Sequence, residues 1–206
     1  MTIEKAVLIS EGPADVVASH VASLDLPRRA CSIPVAPASE DLMPSFVELW
    51  AEPESLRAAV AIWPLPVRAW LVAEHVPIAY ERAWASGEAS PGVRMISTVH
   101  RRDGMSPVDF EAYWLGPHTA VAKSYTVAVW NYNQDIVIES LTPGDPLEVD
   151  GFVGMHFRTA EEMRARWQDH PTEAARGSRD AAQFMAVDRS VSITAVETVW
   201  ESAVRG

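Results

Sequence analysis

The chain of 206 residues has a single cysteine, Cys31. No intramolecular disulfide is available to it, which fits a reducing compartment. It lacks a basic cluster, and its formal net charge is −11. An acidic surface repels phosphate backbones and anionic lipid, so nucleic acid and membrane are excluded as expected partners. No run is long and apolar enough to span a bilayer. The opening MTIEKAVLISEGP has too short an apolar stretch for a signal peptide, and Glu4 stands where a positive segment would be. These features predict a soluble, cytoplasmic protein. The sequence has no phosphate-cradling glycine loop, no G-x-S-x-G, no C-x-x-C and no H-E-x-x-H. Cys31 has no nearby base in sequence and reads as a packing residue.

What is present is apolar and aromatic. Hydrophobic residues make up 48% of the chain, enough for a sizeable core, and there are 8 Trp and 15 Pro. Large aromatics at this density either fill the space between sheet and helices or line a ligand pocket.

The second half gives the clearest element pattern. Residues 93–100 are rich in β-branched side chains and predict a strand. Ser106, Pro107 and Asp109 read as an N-cap, a first helical position and a weak capping box. The helix they open places Phe110, Tyr113, Trp114 and His118 on one face. Gly116 and Pro117 predict a kink or an end, because Pro117 cannot donate to the Tyr113 carbonyl. A long strand is expected over 125–139, a turn at 141–146 and a strand over 151–158. Thr159 and Glu162 form a capping box for a second helix. A short helix or loop follows, then a last strand over 190–200. The order is β-α-β-β-α-β, a ferredoxin-like unit.

The first half repeats that order. Strands are expected at EKAVLIS, LPRRACSIPV, SFVELWA and VRAWLVAEHVPI, and helices after Gly12-Pro13 and over EPESLRAAVAIW. Residues 46–60 align with 152–166, and 72–76 with 195–199, which sets Glu74 opposite Glu197. The second alignment has the larger offset, so the second copy has extra residues after its second helix. A carboxylate in a strand needs a partner or shifts its pKa upward, and an interface pair with an arginine would serve. The expected organisation is a degenerate repeat over 1–84, a linker over 85–92 and a second repeat over 93–206. A four-stranded sheet with helices on one face leaves the other face bare, and two such sheets can bury those faces together. The predicted fold class is α+β: tandem ferredoxin-like units forming a single-chain barrel.

The run RRDGMSPVDFEAYWLGPH, with Phe110, Tyr113, Trp114 and His118, resembles the EthD family of dimeric α+β barrel proteins. Tyr132, Asn133, Asp150-Gly151, Asp180, Phe184 and Asp188 also fall where the family pattern would put them. The first half lacks the signature: aligned on Pro13 and Pro107, it has Leu24 opposite His118 and His20 opposite Trp114. The resemblance implies a pocket between sheet and helices, with one working site per chain. Related barrels include cofactor-free cyclases, isomerases, decarboxylases, dehydratases and oxygenases, and some haem-degrading enzymes.

His118 is the candidate general acid or base; the bland alternative is a buried histidine bonded to a carbonyl freed by Pro117. Tyr113 and His100 are expected to orient or polarise a substrate oxygen. Phe110, Trp114, Trp130, Asn131, Tyr132 and His156 are the candidate substrate-binding residues, with Trp114 equally readable as core. Asn131 and Asn133 should share one strand face and Tyr132 the other. His100 and His156 lie on strands that are neighbours in this topology, so their imidazoles are expected to approach each other. With His118 they could hold a metal or haem, but the spacing is unlike a ligand motif, and no metal and no cofactor is expected. The leading expectation is a cofactor-independent enzyme doing proton-transfer chemistry of the lyase, dehydratase, isomerase or decarboxylase type. Its substrate would be a small apolar aromatic or polyketide-like carbonyl compound. The rival readings are a cofactor-free or haem-binding monooxygenase and a non-catalytic small-ligand-binding barrel. A homodimer of the two-copy chain is left open.

Overall fold

The structure is a computed structural model; it describes residues 2–35, 44–125, 128–142, 144, 148–169 and 171–202. Part of the turn expected at 141–146, and two residues of the strand expected from 125, lie outside them. Among the described residues no helix is long and apolar enough to cross a membrane.

The first half runs β1 (Glu4–Ser10), α1 (Ala14–Ser23), β2 (Arg28–Pro34), β3 (Ser45–Ala51), α2 (Pro53–Ala61) and β4 (Val67–Ile78). The second runs β5 (Val93–Val99), α3 (Pro107–Tyr113), a π-helical turn (Trp114–His118), α4 (Thr119–Tyr125), β6 (Val129–Ser140) and β7 (Gly151–Phe157). It ends with α5 (Ala160–Gln168), α6 (Pro171–Ala181), a 3-10 turn (Val187–Arg189) and β8 (Ser192–Glu201). Each half orders its strands as a ferredoxin-like sheet. The two sheets join edge to edge, β2 with β8 and β4 with β6, into a closed barrel ordered β1-β3-β2-β8-β5-β7-β6-β4. Closure removes every free sheet edge.

Strand alternation explains the layers. On β1, Ala6 and Leu8 face outward and pack with Val17 and Val21 of α1, Leu56 of α2, and Val47 and Leu49 of β3. Val7 faces inward, in a plug with Phe46, Trp70, Val72, Ile96 and Phe152. Cys31 lies buried in the outer cluster, and burial pushes its thiol up to about 12, which makes it inert.

The bare faces do meet, but only half of the interior is apolar. Lys5, Glu48, Arg94, Asp135 and Glu197 are all buried within the barrel. Lys5 bonds Glu74 at 2.8 Å and both Asp135 oxygens at 2.9 Å. Arg94 binds Glu48, Glu197 and Asn133. Gly154 makes room for this: a Cβ there would come within 2.7 Å of Arg94 Nη2 and 2.3 Å of Asn133 Oδ1.

Two local expectations need correction. Pro117 neither ends nor breaks the helix; the chain widens into the π turn and continues as α4. The Trp114 carbonyl is served by Thr119 Oγ1 at 2.9 Å and Gln134 Nε2 at 3.2 Å. The strand expected from 125 begins at Val129, because α4 runs to Tyr125 to bury Ala122 against Tyr132 and Phe157. The segment between the halves is strapped along β8, where Ser90 N–H donates to the Glu197 carbonyl at 2.7 Å and Gly87 N–H to that of Val199 at 2.9 Å.

Candidate active site

The extra residues in the second half build α6, whose last turn carries Asp180. The helix lies over the sheet beside α4 and closes a cavity of about 280 Å³ against the outer face of β5 and β7. Met95, Ser97, Val153 and Met155 form its sheet wall; Trp114, His118, Ala181 and Phe184 form its helix wall.

His118 ends the π turn, is 8% exposed and packs on Phe184 with ring centroids 4.7 Å apart. Its Nδ1 lies 2.6 Å from Asp180 Oδ2. An ionised carboxylate can only accept, so Nδ1 carries the proton and Nε2 is the basic nitrogen. Tyr113 OH donates to the other Asp180 oxygen at 3.0 Å. Burial pushes the His118 pKa below its usual 6.5, with Asp180 opposing the shift, so the neutral imidazole prevails at neutral pH. Asp180 thus fixes the tautomer and the ring orientation of a base held in an apolar cavity. The bland reading, a histidine capping a carbonyl freed by Pro117, does not match this geometry.

Phe110, Tyr113 and Trp114 all contact Phe184, at 5.8, 5.7 and 6.0 Å between centroids. The four-residue run is therefore one aromatic cluster organised by a residue about seventy positions on. Trp114 is both core and lining: it is buried, walls the cavity, and lies so close over Gly151 that a Cβ there would sit 2.4 Å from its ring. Two further polar features face the cavity. The Ser97 and Ser192 hydroxyls bond at 2.6 Å, and buried Arg166 reaches it from α5.

Residues 102–188 match the family model described as the EthD domain. That segment resembles the EthD domain over less than half of the chain. It contains His118, Tyr113, Asp180 and Phe184, and so every member of the hydrogen-bonded trio. No curated protein matches the chain. Among solved structures, an anthrone oxidase-like protein superimposes with a TM-score of 0.66 at 10% identity, covering 97% of this chain and 92% of its own. A candidate monooxygenase from Fusobacterium nucleatum subsp. nucleatum gives 0.53 at 6% identity, with 97% and 92% covered. A variant of chlorite dismutase from Candidatus Nitrospira defluvii gives 0.53 at 9%, with 95% and 91% covered. At these identities the likeness establishes the fold.

The remaining sequence-derived candidates lie away from the His118 cavity. Tyr132 points to the same side of the sheet but is fully buried under α4 with Val129 and Phe157. Trp130 stacks on Tyr80 at 4.9 Å and meets His156 at 5.6 Å. Asn131 donates to the Ile78 carbonyl at 3.1 Å and lines a polar mouth of the barrel. His156 faces the barrel and bonds the Pro91 carbonyl at 2.8 Å. His100 bonds the Glu148 carbonyl at 2.7 Å at the other mouth.

The expected approach of His100 and His156 is a correction. The strands do pair, but antiparallel, with Arg94 opposite His156 and Val99 opposite Gly151. Six residues of strand, about 20 Å, separate the two positions. The three histidines therefore do not converge, and among the described residues no group of three metal-ligating side chains is found. Sequence reasoning did not raise Asp180 or Phe184 to site residues, although both stood in the family pattern. Arg166, Ser97 and Ser192 gave no local signal.

Proposed function

We propose that the protein is a cofactor-independent enzyme that moves a proton on a small, largely apolar carbonyl compound, with His118 as general base. The observation that supports this reading most is the His118–Asp180–Tyr113 chain at the wall of a largely apolar cavity. Nε2 would take a proton from the carbon next to the substrate carbonyl, leaving an enolate. His118, now protonated, would return the proton at another carbon in an isomerisation, or to a departing group in an elimination. Arg166 and the Ser97–Ser192 pair are placed to stabilise negative charge developing on oxygen. Tyr113, whose hydroxyl is spent on Asp180, is a positioning residue rather than an oxygen polariser. At about 280 Å³ the cavity sits at the small end of ligand sites, roughly 300–1,000 Å³, and suits a compact substrate better than a porphyrin.

A second reading uses the same base. The aromatic wall of Trp114 and Phe184 suits a hydroxylated aromatic such as an anthrone. Loss of its acidic C–H proton to His118 gives a carbanion that dioxygen can oxidise to the quinone, with water as the second product. Likeness to an anthrone oxidase-like protein favours trying this substrate.

His118→Ala is expected to keep the melting temperature within a few degrees and to lower kcat by about 10²–10⁴-fold. Because burial depresses its pKa, kcat of the wild type should stay level around neutrality and fall only below pH 6.5. Oxygen uptake during turnover separates the second reading from the first. Ligand binding without any product, or an unchanged rate in the alanine variant, would overturn the assignment.

A further inference from the structure

The sheet between the two faces of β5 separates two different cavities. Met95 and Ser97 face the His118 cavity on the helix side. Ile96 and Thr98 face a second cavity, of about 230 Å³, inside one mouth of the barrel. Its inner wall is apolar, made by Ile9, Phe46, Ile96 and Ile193. The plug of Phe46, Trp70 and Phe152 closes its floor and divides it from the charged half of the interior.

The opening of this mouth has the opposite character. Arg68 and Arg189 stand there with His100, and no Asp or Glu is among the described residues that line the cavity. Both arginines have acid partners outside the cavity. Arg68 reaches Glu11 at 3.2 Å and Arg189 reaches Asp103 at 2.8 Å, with all four side chains substantially solvent-exposed. Exposed pairs of this kind are worth at most about 1 kcal/mol, so they do not hold the guanidinium groups against a better-placed anion. An apolar chamber beneath two available guanidinium groups is complementary to an apolar body with an anionic head. The room inside, equal to roughly eight water volumes, sets the size of that body.

We propose that this mouth is a second ligand site, for a small apolar carboxylate, separate from the His118 cavity. Guanidinium groups pair with a carboxylate through two parallel hydrogen bonds, and a neutral head group of the same shape cannot match this.

The two cavities are lined by different methyl groups, which gives a direct readout. Isoleucines 9, 96 and 193 line the mouth, and methionines 95, 155 and 185 line the His118 cavity. The full-length protein, labelled at Ile and Met methyls, is titrated with phenylacetate, 2-phenylethanol and phenethylamine. Phenylacetate is expected to shift the isoleucine signals saturably and leave the methionine signals in place. It should bind roughly tenfold or more tighter than the alcohol. The double variant Arg68→Gln/Arg189→Gln, at two exposed positions, should lower phenylacetate affinity to that of the alcohol and leave the alcohol unchanged. Three outcomes would overturn the proposal: shifts at the methionines instead, no saturable shift at all, or an amine that binds as well as the acid. Unchanged phenylacetate affinity in a double variant with wild-type melting behaviour would do so as well.

Discussion

Asp180 accepts two hydrogen bonds, one from His118 and one from Tyr113, and its charge and its shape matter separately. Asp180→Asn keeps the shape. An amide nitrogen turned toward Nδ1 donates to it and drives the imidazole proton onto Nε2, the nitrogen needed as a base. The variant is therefore expected to lose about 10²–10⁴-fold in kcat with little change in KM. The carboxylate also pulls the His118 pKa upward against burial, so its loss should move the remaining acid limb of the rate profile to lower pH. A merely structural carboxylate would change stability without moving that limb. His118 was legible in the sequence because its helical spacing from Tyr113 and Trp114 is local. Asp180 is 62 residues away in a stretch that reads as a short helix or loop, and no periodicity links the two. His100 and His156 failed for a related reason. The pattern showed that their strands are neighbours, but the register, which separates them by most of a strand, depends on connections no short window contains.

The π turn over Trp114–His118 decides which way His118 faces. Each residue of an α-helix turns the face by about 100°, so one extra residue in the turn re-aims everything after it. Proline at 117 disfavours the regular alternative, because that form needs an N–H to reach the Tyr113 carbonyl. Pro117→Ala restores the N–H and allows the helix to tighten. The expected result is a stability change within about 1 kcal/mol, the size of one backbone hydrogen bond. Activity should fall by about 10²-fold as His118 turns from Asp180. Loss of the downfield Nδ1 proton resonance of His118 would report the broken bond directly; a retained resonance with normal kcat would show that the turn does not depend on the proline. From the sequence, Gly116-Pro117 reads as a kink or an end. That reading was right about stress in the helix and wrong about its outcome, because the residues that relieve it lie outside the local pattern. The capping residues are different: Ser106 and Thr159 accept from Asp109 and Glu162 as their spacing predicts, since a cap is set within four positions.

At the scale of the whole molecule, two bare sheet faces made the barrel legible, but its contents were not. Strand alternation places Lys5, Glu48, Glu74, Arg94, Asp135 and Glu197 on inward positions, yet in sequence only Glu74 and Glu197 stand out as carboxylates in need of a partner, and the other four read as ordinary polar residues beside apolar ones. Two of the pairings cross between the halves of the chain: Lys5 pairs with Asp135, and Arg94 with Glu48. Four carboxylates face two cations here, so the cluster has negative charge in excess, and a proton held by one carboxyl reduces that excess. Burial raises the Asp135 pKa most, Glu48 and Glu74 add to it, and Lys5 opposes, leaving it at about 7 against an ordinary 3.8. Between those values the folded protein binds a proton that the unfolded chain has released. This group's contribution to stability is therefore present at low pH and is lost as pH rises through about 7. Asp135→Asn cannot titrate and does not suffer that loss. Relative to the wild type, the variant should gain stability between about pH 5 and about pH 8, and taking the difference at each pH cancels the histidines common to both proteins. Denaturant unfolding of the two proteins at both pH values measures it. A difference that shrinks or stays flat as pH rises would mean that Asp135 is ionised throughout and that the barrel interior holds its excess charge without a proton.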